Sequence, residues 1–299
     1  MKKHKGWILI IAVIAIVFFS AKAVFVKMAY RYDVEAVPLL LLRMAFAFPV
    51  YLVMAFVKKP NQPKNIVFKD YLWVAGLGFI GYYLASLTDF LGLEFIKASL
   101  ERIILFIYPT LVIFITWIFF GKRPGKWQVI AIVVSYIGIL ITFADELKLS
   151  GNKDDVWIGG LLVFISALCY ATYLVGSGWL IPKFGSVAFT SYAMIVSTIC
   201  VFVHFGLTQP LYLSGYPVEV YGLAFGMAMI STVIPSYLVS ISIKHLGAST
   251  FSILGSLGPI ATIALANIFL DERLTQLQFF GAIIVIAAVL IVTRFKNKQ

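Results

Sequence analysis

The chain has 299 residues, 62% hydrophobic and only 12% charged, with a mean hydropathy of +0.99 and a net charge of +11. Soluble domains carry about twice that charged fraction and about 45–50% apolar residues, so a water-soluble fold is excluded. At about 20 residues per membrane-spanning helix, ten helices leave about nine residues for each loop and tail, which excludes a sizeable domain outside the bilayer and a nucleic-acid-binding role for the charge.

Apolar windows predict helices over 7–29, 36–57, 71–90, 97–119, 126–143, 157–178, 187–206, 218–242, 246–270 and 275–293. Pro, Gly and charged residues punctuate the breaks, as in Lys58-Lys59-Pro60-Asn61-Gln62-Pro63 and Gly121-Lys122-Arg123-Pro124-Gly125. The runs are continuous and lack period-2 alternation, which sets aside a closed β-barrel. The expected fold class is an all-α polytopic membrane protein with ten transmembrane helices. Lys2, Lys3 and Lys5 before an apolar run ending in Ala21-Lys22-Ala23 superficially resemble a signal peptide. Cleavage would leave nine helices and destroy the repeat described next, so this run is read as the first span.

With the N-terminus in the cytoplasm, the cytoplasmic segments hold fifteen Lys and Arg and the outer loops five. The positive-inside rule therefore places both termini in the cytoplasm. Of the 13 acidic residues, only Asp70 falls on that side. The surplus of positive charge is mostly a topology signal, and the expected location is the cell membrane, the inner one for a Gram-negative source.

The chain matches itself at an offset of 150. Trp7 aligns with Trp157, Tyr71 with Tyr221, Gly76 with Gly226, Ala98-Ser99 with Ala248-Ser249, Pro109 with Pro259, Arg123 with Arg273 and Gln128 with Gln278. The expected units are 7–146 and 157–296, each of five helices. An odd number makes the second copy enter from the opposite side, so the repeats are inverted. Inverted repeats with a site near the bilayer midplane are the architecture of alternating-access transporters.

A five-helix half whose fourth helix begins with Ala-Ser, carries a central Pro and ends in an acidic turn resembles the EamA repeat of the drug/metabolite transporter superfamily. The matching stretches are Ile96-Lys97-Ala98-Ser99-Leu100-Glu101-Arg102 through Tyr108-Pro109-Thr110, and Leu246-Gly247-Ala248-Ser249 through Gly258-Pro259-Ile260, followed by Asp271-Glu272-Arg273. The resemblance implies ten helices and transport, frequently outward, of small metabolites such as amino acids or their relatives. Two positions depart from it. Gly121-Lys122 stands where the family commonly has Gly-Glu, and the first helix carries Lys22 and Lys27 where related small multidrug exporters have an embedded Glu. A proton-coupled multidrug mechanism therefore does not carry over.

Six ionisable residues fall within the spans or at their outer edges, all in the first repeat: Lys22, Lys27, Arg43, Asp89, Glu101 and Arg102. Each costs about 2.5–3.5 kcal/mol at the centre of a span even on a lenient insertion scale, so they are expected to face the bundle interior. Lys27 has the alternative of snorkelling to the surface. The functional reading is an outward-facing cavity for an anionic or zwitterionic group. The structural alternative is that Asp89 or Glu101 neutralises Arg43 or Arg102. Tyr82, Ser86 and Asp89 share a predicted helix face, as do Ser166, Tyr170, Tyr173 and Ser177, and Ser249, Ser252 and Ser256. Such stripes line pathways but also glue membrane helices together. The expected pathway residues are Lys22, Arg43, Tyr82, Asp89, Glu101, Arg102, Tyr108, Tyr170, Tyr173 and Ser256, with the mid-helix pair Pro109 and Pro259 as hinges and Glu101 as a gating or proton-coupling group.

Cys169 and Cys200 lie inside apolar runs, the three histidines have no ligand spacing, and no Walker loop exists for ATP hydrolysis. No catalytic residue, metal or cofactor is expected. The expected partners are a small-molecule metabolite and the lipid bilayer, with no nucleic acid; proton coupling and a homodimer stay open. The expected function is a secondary transporter. A channel, receptor or partner subunit is the first alternative, and a membrane enzyme using Asp89 or Glu101 is the second.

Overall fold

The computed structural model describes residues 2–61, 65–121, 124–149, 151–210, 215–255 and 257–296. Among these residues the helices group into ten spans: α1 (Lys2–Tyr30), α2 (Ala36–Val57), α3 (Phe68–Phe95), α4 (Ala98–Phe120), α5 (Lys126–Leu149), α6 (Lys153–Phe184), α7 (Ser186–Thr208), α8 (Val218–Leu246), α9 (248–270) and α10 (Gln276–Lys296). Seven described helices are long and apolar enough to cross a membrane, and shorter apolar helices lie in α9 and α10. An even number of spans returns the chain to the side it left. Both ends therefore share one face, the terminal face, opposite the far face.

Local chemistry explains where the spans differ from their predicted limits. Helix α6 starts four residues early because the Asn152 side chain accepts from the Asp154 backbone N–H at 3.1 Å and Asp154-Asp155 occupy its first turn. It runs on past Pro182 and stops at Gly185, whose φ of 80° a side-chain-bearing residue rarely adopts. Helix α3 continues five residues beyond its predicted end. Asp89 consequently lies well inside the span and is fully buried, instead of closing the helix at its outer end.

Four interruptions repeat at the offset of 150. Helix α3 contains a π-helical turn at Phe79–Leu84 and α8 one at Met229–Val233. Helix α4 breaks between Ala98–Leu105 and Tyr108–Phe120, and α9 between Ala248–Leu254 and Leu257–Leu270. Pro109 and Pro259 thus do not sit inside continuous helices. Each falls in the first turn of a second half-helix, where a missing N–H leaves no hydrogen bond unmade.

The two repeats interlock. Helix α1 packs on α8 and α9 of the other repeat, and α6 packs on α3 and α4. One bundle is therefore α1, α8 and α9, and the other is α6, α3 and α4. Helix α2 joins the first through α8, and α7 joins the second through α3. The like pairs α2–α7 and α5–α10 lie across the pseudo-two-fold axis. Helices α5 and α10 meet at Gly138 and Gly281, where a Cβ on either glycine would come within 2.7 Å of the other's carbonyl oxygen. Lipid is as apolar as a leucine side chain, so such close backbone approach, and the dispersion it yields, is what holds the pair. Gly281→Val is expected to destabilise the protein by about 1–3 kcal/mol through overpacking, read as earlier thermal unfolding in detergent.

Candidate functional site

The paired π turns bring the middle of α3 and α8 to one place. A π turn inserts an extra residue and shifts the helix phase, a feature frequent at functional sites. In α8 the Ser231 and Thr232 hydroxyls donate to the Met227 carbonyl at 3.0 Å each, satisfying it within the turn. In α3 the lack of a side chain at Gly81 lets Tyr173 of α6 press against the backbone, where a Cβ would lie 2.2 Å from that of Tyr173. Gly81, Tyr82, Ser231 and Thr232 line a small central cavity together with Phe19, Lys22, Arg43, Ser86, Ser166 and Tyr170.

This cavity measures about 30 Å³, room for a water molecule or two and far below a metabolite-sized site. A second cavity of about 20 Å³ is lined by Arg102, Tyr108, Ser20 and Phe251. Phe19, Leu105 and Tyr170 border both, and the Phe19 and Tyr170 rings stack with centroids 5.7 Å apart. An aromatic partition thus divides two cation-lined spaces, and the centre of the bundle is occluded.

The buried charges cross from one bundle to the other. Lys22 of α1 pairs with Asp89 of α3 at 2.8 Å, both buried. Arg43 of α2 donates to the Ser86 hydroxyl of α3 at 2.9 Å and lies 4.9 Å from the Phe90 ring centroid. No carboxylate pairs with Arg43 among the described residues, and its Nε has no hydrogen-bond acceptor. Arg102 of α4 donates to the Thr262 hydroxyl of α9 at 2.8 Å and to the Phe19 carbonyl of α1 at 3.2 Å. Glu101 is 0% exposed and its carboxyl lies against that of Asp89, close to Arg102 and Lys22. Lys27 stands apart, half-buried, donating to the Leu93 carbonyl at 2.8 Å.

Of the expected pathway residues, Lys22, Arg43, Tyr82 and Tyr170 line the first cavity, while Arg102, Tyr108 and again Tyr170 line the second. Asp89 and Glu101 line neither and sit behind the cations. Tyr173 is fully buried between Tyr82, 4.7 Å away, and Phe189, 5.8 Å away. Ser256 lies outside the described residues. The predicted face of Tyr82, Ser86 and Asp89 splits, two lining the cavity and the third holding Lys22. The break at Phe106-Ile107 likewise separates Tyr108 from Glu101. Sequence reasoning missed Phe19, Ser231, Thr232 and Thr262. Ser231 and Thr232 had a signal, because they are the repeat mates of Gly81 and Tyr82.

The far face is tied shut. The Glu272 carboxylate, in the turn after α9, accepts from the backbone N–H groups of Ala98 and Ser99 at 3.0 Å each and from the Ser99 hydroxyl at 2.6 Å, capping α4. Nearby, Lys97 pairs with Glu146 at 3.0 Å, and Gln278 donates to Glu146 at 2.6 Å.

Ten spans in an inverted repeat, broken at matching midplane positions around an occluded polar cavity, define a multi-pass membrane transporter. The sequence pattern of the EamA-like transporter family matches residues 6–144 and again 157–294, and the chain belongs to that family. It is 30% identical over 281 residues, 91% of this chain and 88% of the other, to the "Uncharacterized transporter YcbK" of Bacillus subtilis. It is 23% identical to an "Uncharacterized transporter" of Archaeoglobus fulgidus over 97% of this chain and 99% of the other. To the "Uncharacterized inner membrane transporter YicL" of Salmonella typhimurium it is 22% identical, over 75% of this chain and 74% of the other. A solved crystal structure shares the fold, with a TM-score of 0.70 over 98% of both chains at 14% identity. The chain is a transporter, not an enzyme, and a small molecule is its substrate.

The Lys22–Asp89 pair makes a double-substitution test. Lys22→Met or Asp89→Leu alone leaves an uncompensated buried charge and is expected to cost about 3–5 kcal/mol. The double variant Lys22→Met/Asp89→Leu is expected to recover most of that loss in unfolding measurements in detergent.

Proposed function

We propose that this protein is a secondary transporter, an exporter by direction, of a small anionic or zwitterionic metabolite such as an amino acid or a relative, working by alternating access. The observation that carries this reading is Arg43: a buried guanidinium at the cavity wall with no carboxylate partner and an Nε without an acceptor. A guanidinium so placed is suited to a carboxylate or phosphate oxygen. The first cavity has Lys22 and Arg43 in its wall and no acidic side chain.

The moving units are the two interlocked bundles rather than the two sequence repeats. Separating them toward the far face breaks the Glu272–Ser99 tie; separating them toward the terminal face keeps it. Either movement shifts Phe19 of α1 relative to Tyr170 of α6, opening the partition and joining the two small cavities into one. The joined space has Lys22, Arg43 and Arg102 as anion contacts and Tyr82, Tyr108 and Tyr170 as its walls. The half-helix starts at Pro109 and Pro259 provide the hinges. The bias of Lys and Arg supports a cytoplasmic terminal face in the cell membrane.

Glu101, whose carboxyl adjoins that of Asp89 beside the lysine that contacts substrate, is the proton-coupling group in this reading. A proton arriving there changes the hold on Lys22 and thereby couples substrate release to a pH gradient.

The test is a liposome uptake screen over amino acids, organic acids and nucleotides, with and without a pH gradient. Arg43→Gln is expected to lower saturable flux of the transported solute at least about tenfold, the worth of one charge-assisted hydrogen bond, while the protein stays folded. Flux equal to the native protein's would overturn the anion-contact reading. Glu101→Gln is expected to leave downhill exchange intact and to abolish its response to the pH gradient; full retention of that response would remove the coupling role.

A further inference from the structure

A third polar cavity, remote from the two central ones, lies at the terminal face where α2 ends, α7 begins and α8 ends. It measures about 250 Å³ and is lined by Lys58, Lys59, Lys244 and His245, by Asn61, and by the backbone of Gly185 to Ala188. No acidic residue lines it, and none of the three lysines forms an ion pair with a described residue. Cations at the ends of α2 and α8 are favoured by the helix dipoles alone. Dipoles do not explain why residues from two spans converge on one hollow.

The third wall adds donors. Helix α7 is 23 residues long, and no side chain caps its N-terminus at Gly185. The Ser186 hydroxyl is turned away and donates to the Ser240 carbonyl at 3.1 Å. The N–H groups of the first turn have no partner within the helix. The hollow thus presents free backbone donors and the positive end of a long helix beside three ammonium groups and an imidazole, a set that matches a phosphate. Immediately above it, in the last turn of α2, Phe56 and Val57 are 78% and 63% exposed. Exposed apolar side chains in that turn suit the acyl chains of a bound lipid.

We propose that this cavity is a binding site for the phosphate headgroup of an anionic phospholipid, whose chains lie along the outer end of α2. Basic hollows between spans at the membrane surface are suited to such headgroups. The ligand would link the end of α2, from the first repeat, to α7 and α8 of the second, and so bear on the terminal opening. The proposal stands independently of the substrate assigned to the central cavity.

The experiment is native mass spectrometry of the purified, full-length protein in detergent, offered equimolar phosphatidylglycerol and phosphatidylcholine. Preferential retention of phosphatidylglycerol is expected. Lys59→Gln and Lys244→Gln are each expected to weaken it about fivefold, the worth of one lysine at an anionic headgroup. Lys59→Arg and Lys244→Arg are expected to keep the preference, and Lys148→Gln/Lys153→Gln, at the far face, to leave it unchanged. Equal retention of both lipids, or a preference unaffected by the glutamine variants, would overturn the proposal. Complete displacement of phosphatidylglycerol by excess inorganic phosphate would mark a site for free phosphate and overturn the lipid assignment. Transport by the glutamine variants separates the two sites: substrate selectivity is expected to stay native even where lipid retention is lost.

Discussion

Hydrocarbon offers a buried charge no water, so every ionised side chain within the spans must find its partner in protein. That constraint organises this molecule. Lys22, Arg43 and Arg102 each reach from one bundle to the other, to Asp89, Ser86 and Thr262 respectively. The contacts that satisfy the charges are therefore the contacts that hold the two bundles together. These partners lie in the halves of the spans nearer the far face, so the seam between the bundles is polar there.

The same arrangement sets what the contacts between the bundles are worth. A buried pair such as Lys22–Asp89 contributes little net stability against two well-packed apolar side chains, but leaving either member alone is expensive. Any parting of the two bundles would leave these charges in need of new partners. The stacked Phe19 and Tyr170 rings lie between the two central cavities, and the Glu272 carboxylate caps α4 at the far face. Each element is small, yet all lie on one interface, so a shift there is felt at both faces.

Much of the candidate site was legible because the pressures acting on it are one-dimensional. Charges are scarce in an apolar chain, so Lys22, Arg43, Asp89, Glu101 and Arg102 stood out without any structure. What remained hidden was partner choice. The sequence offered Arg43 or Arg102 as the partner of an acidic residue such as Asp89, and only the approach of α1 to α3 gives it Lys22 instead. Tyr82, Ser86 and Asp89 shared a face on an ideal 3.6-residue helix, yet in the structure Tyr82 and Ser86 line the cavity while Asp89 holds Lys22. Phe19 and Thr262 looked like ordinary lining of an apolar span; their roles depend on which helix lies opposite.

By itself the sequence determined the number of spans and the internal repeat, since these follow from hydropathy length and a constant offset. It also located the interruptions approximately, through Pro109 and Pro259. Only the tertiary structure decided that the repeats interlock, with α1 packed on α8 and α9 and α6 on α3 and α4, so that each packed bundle mixes helices of both repeats. That choice rests on close backbone approach and on pairing of buried charges between residues far apart in the chain. Both are properties of three-dimensional fit, which a linear pattern of apolar and polar residues does not encode.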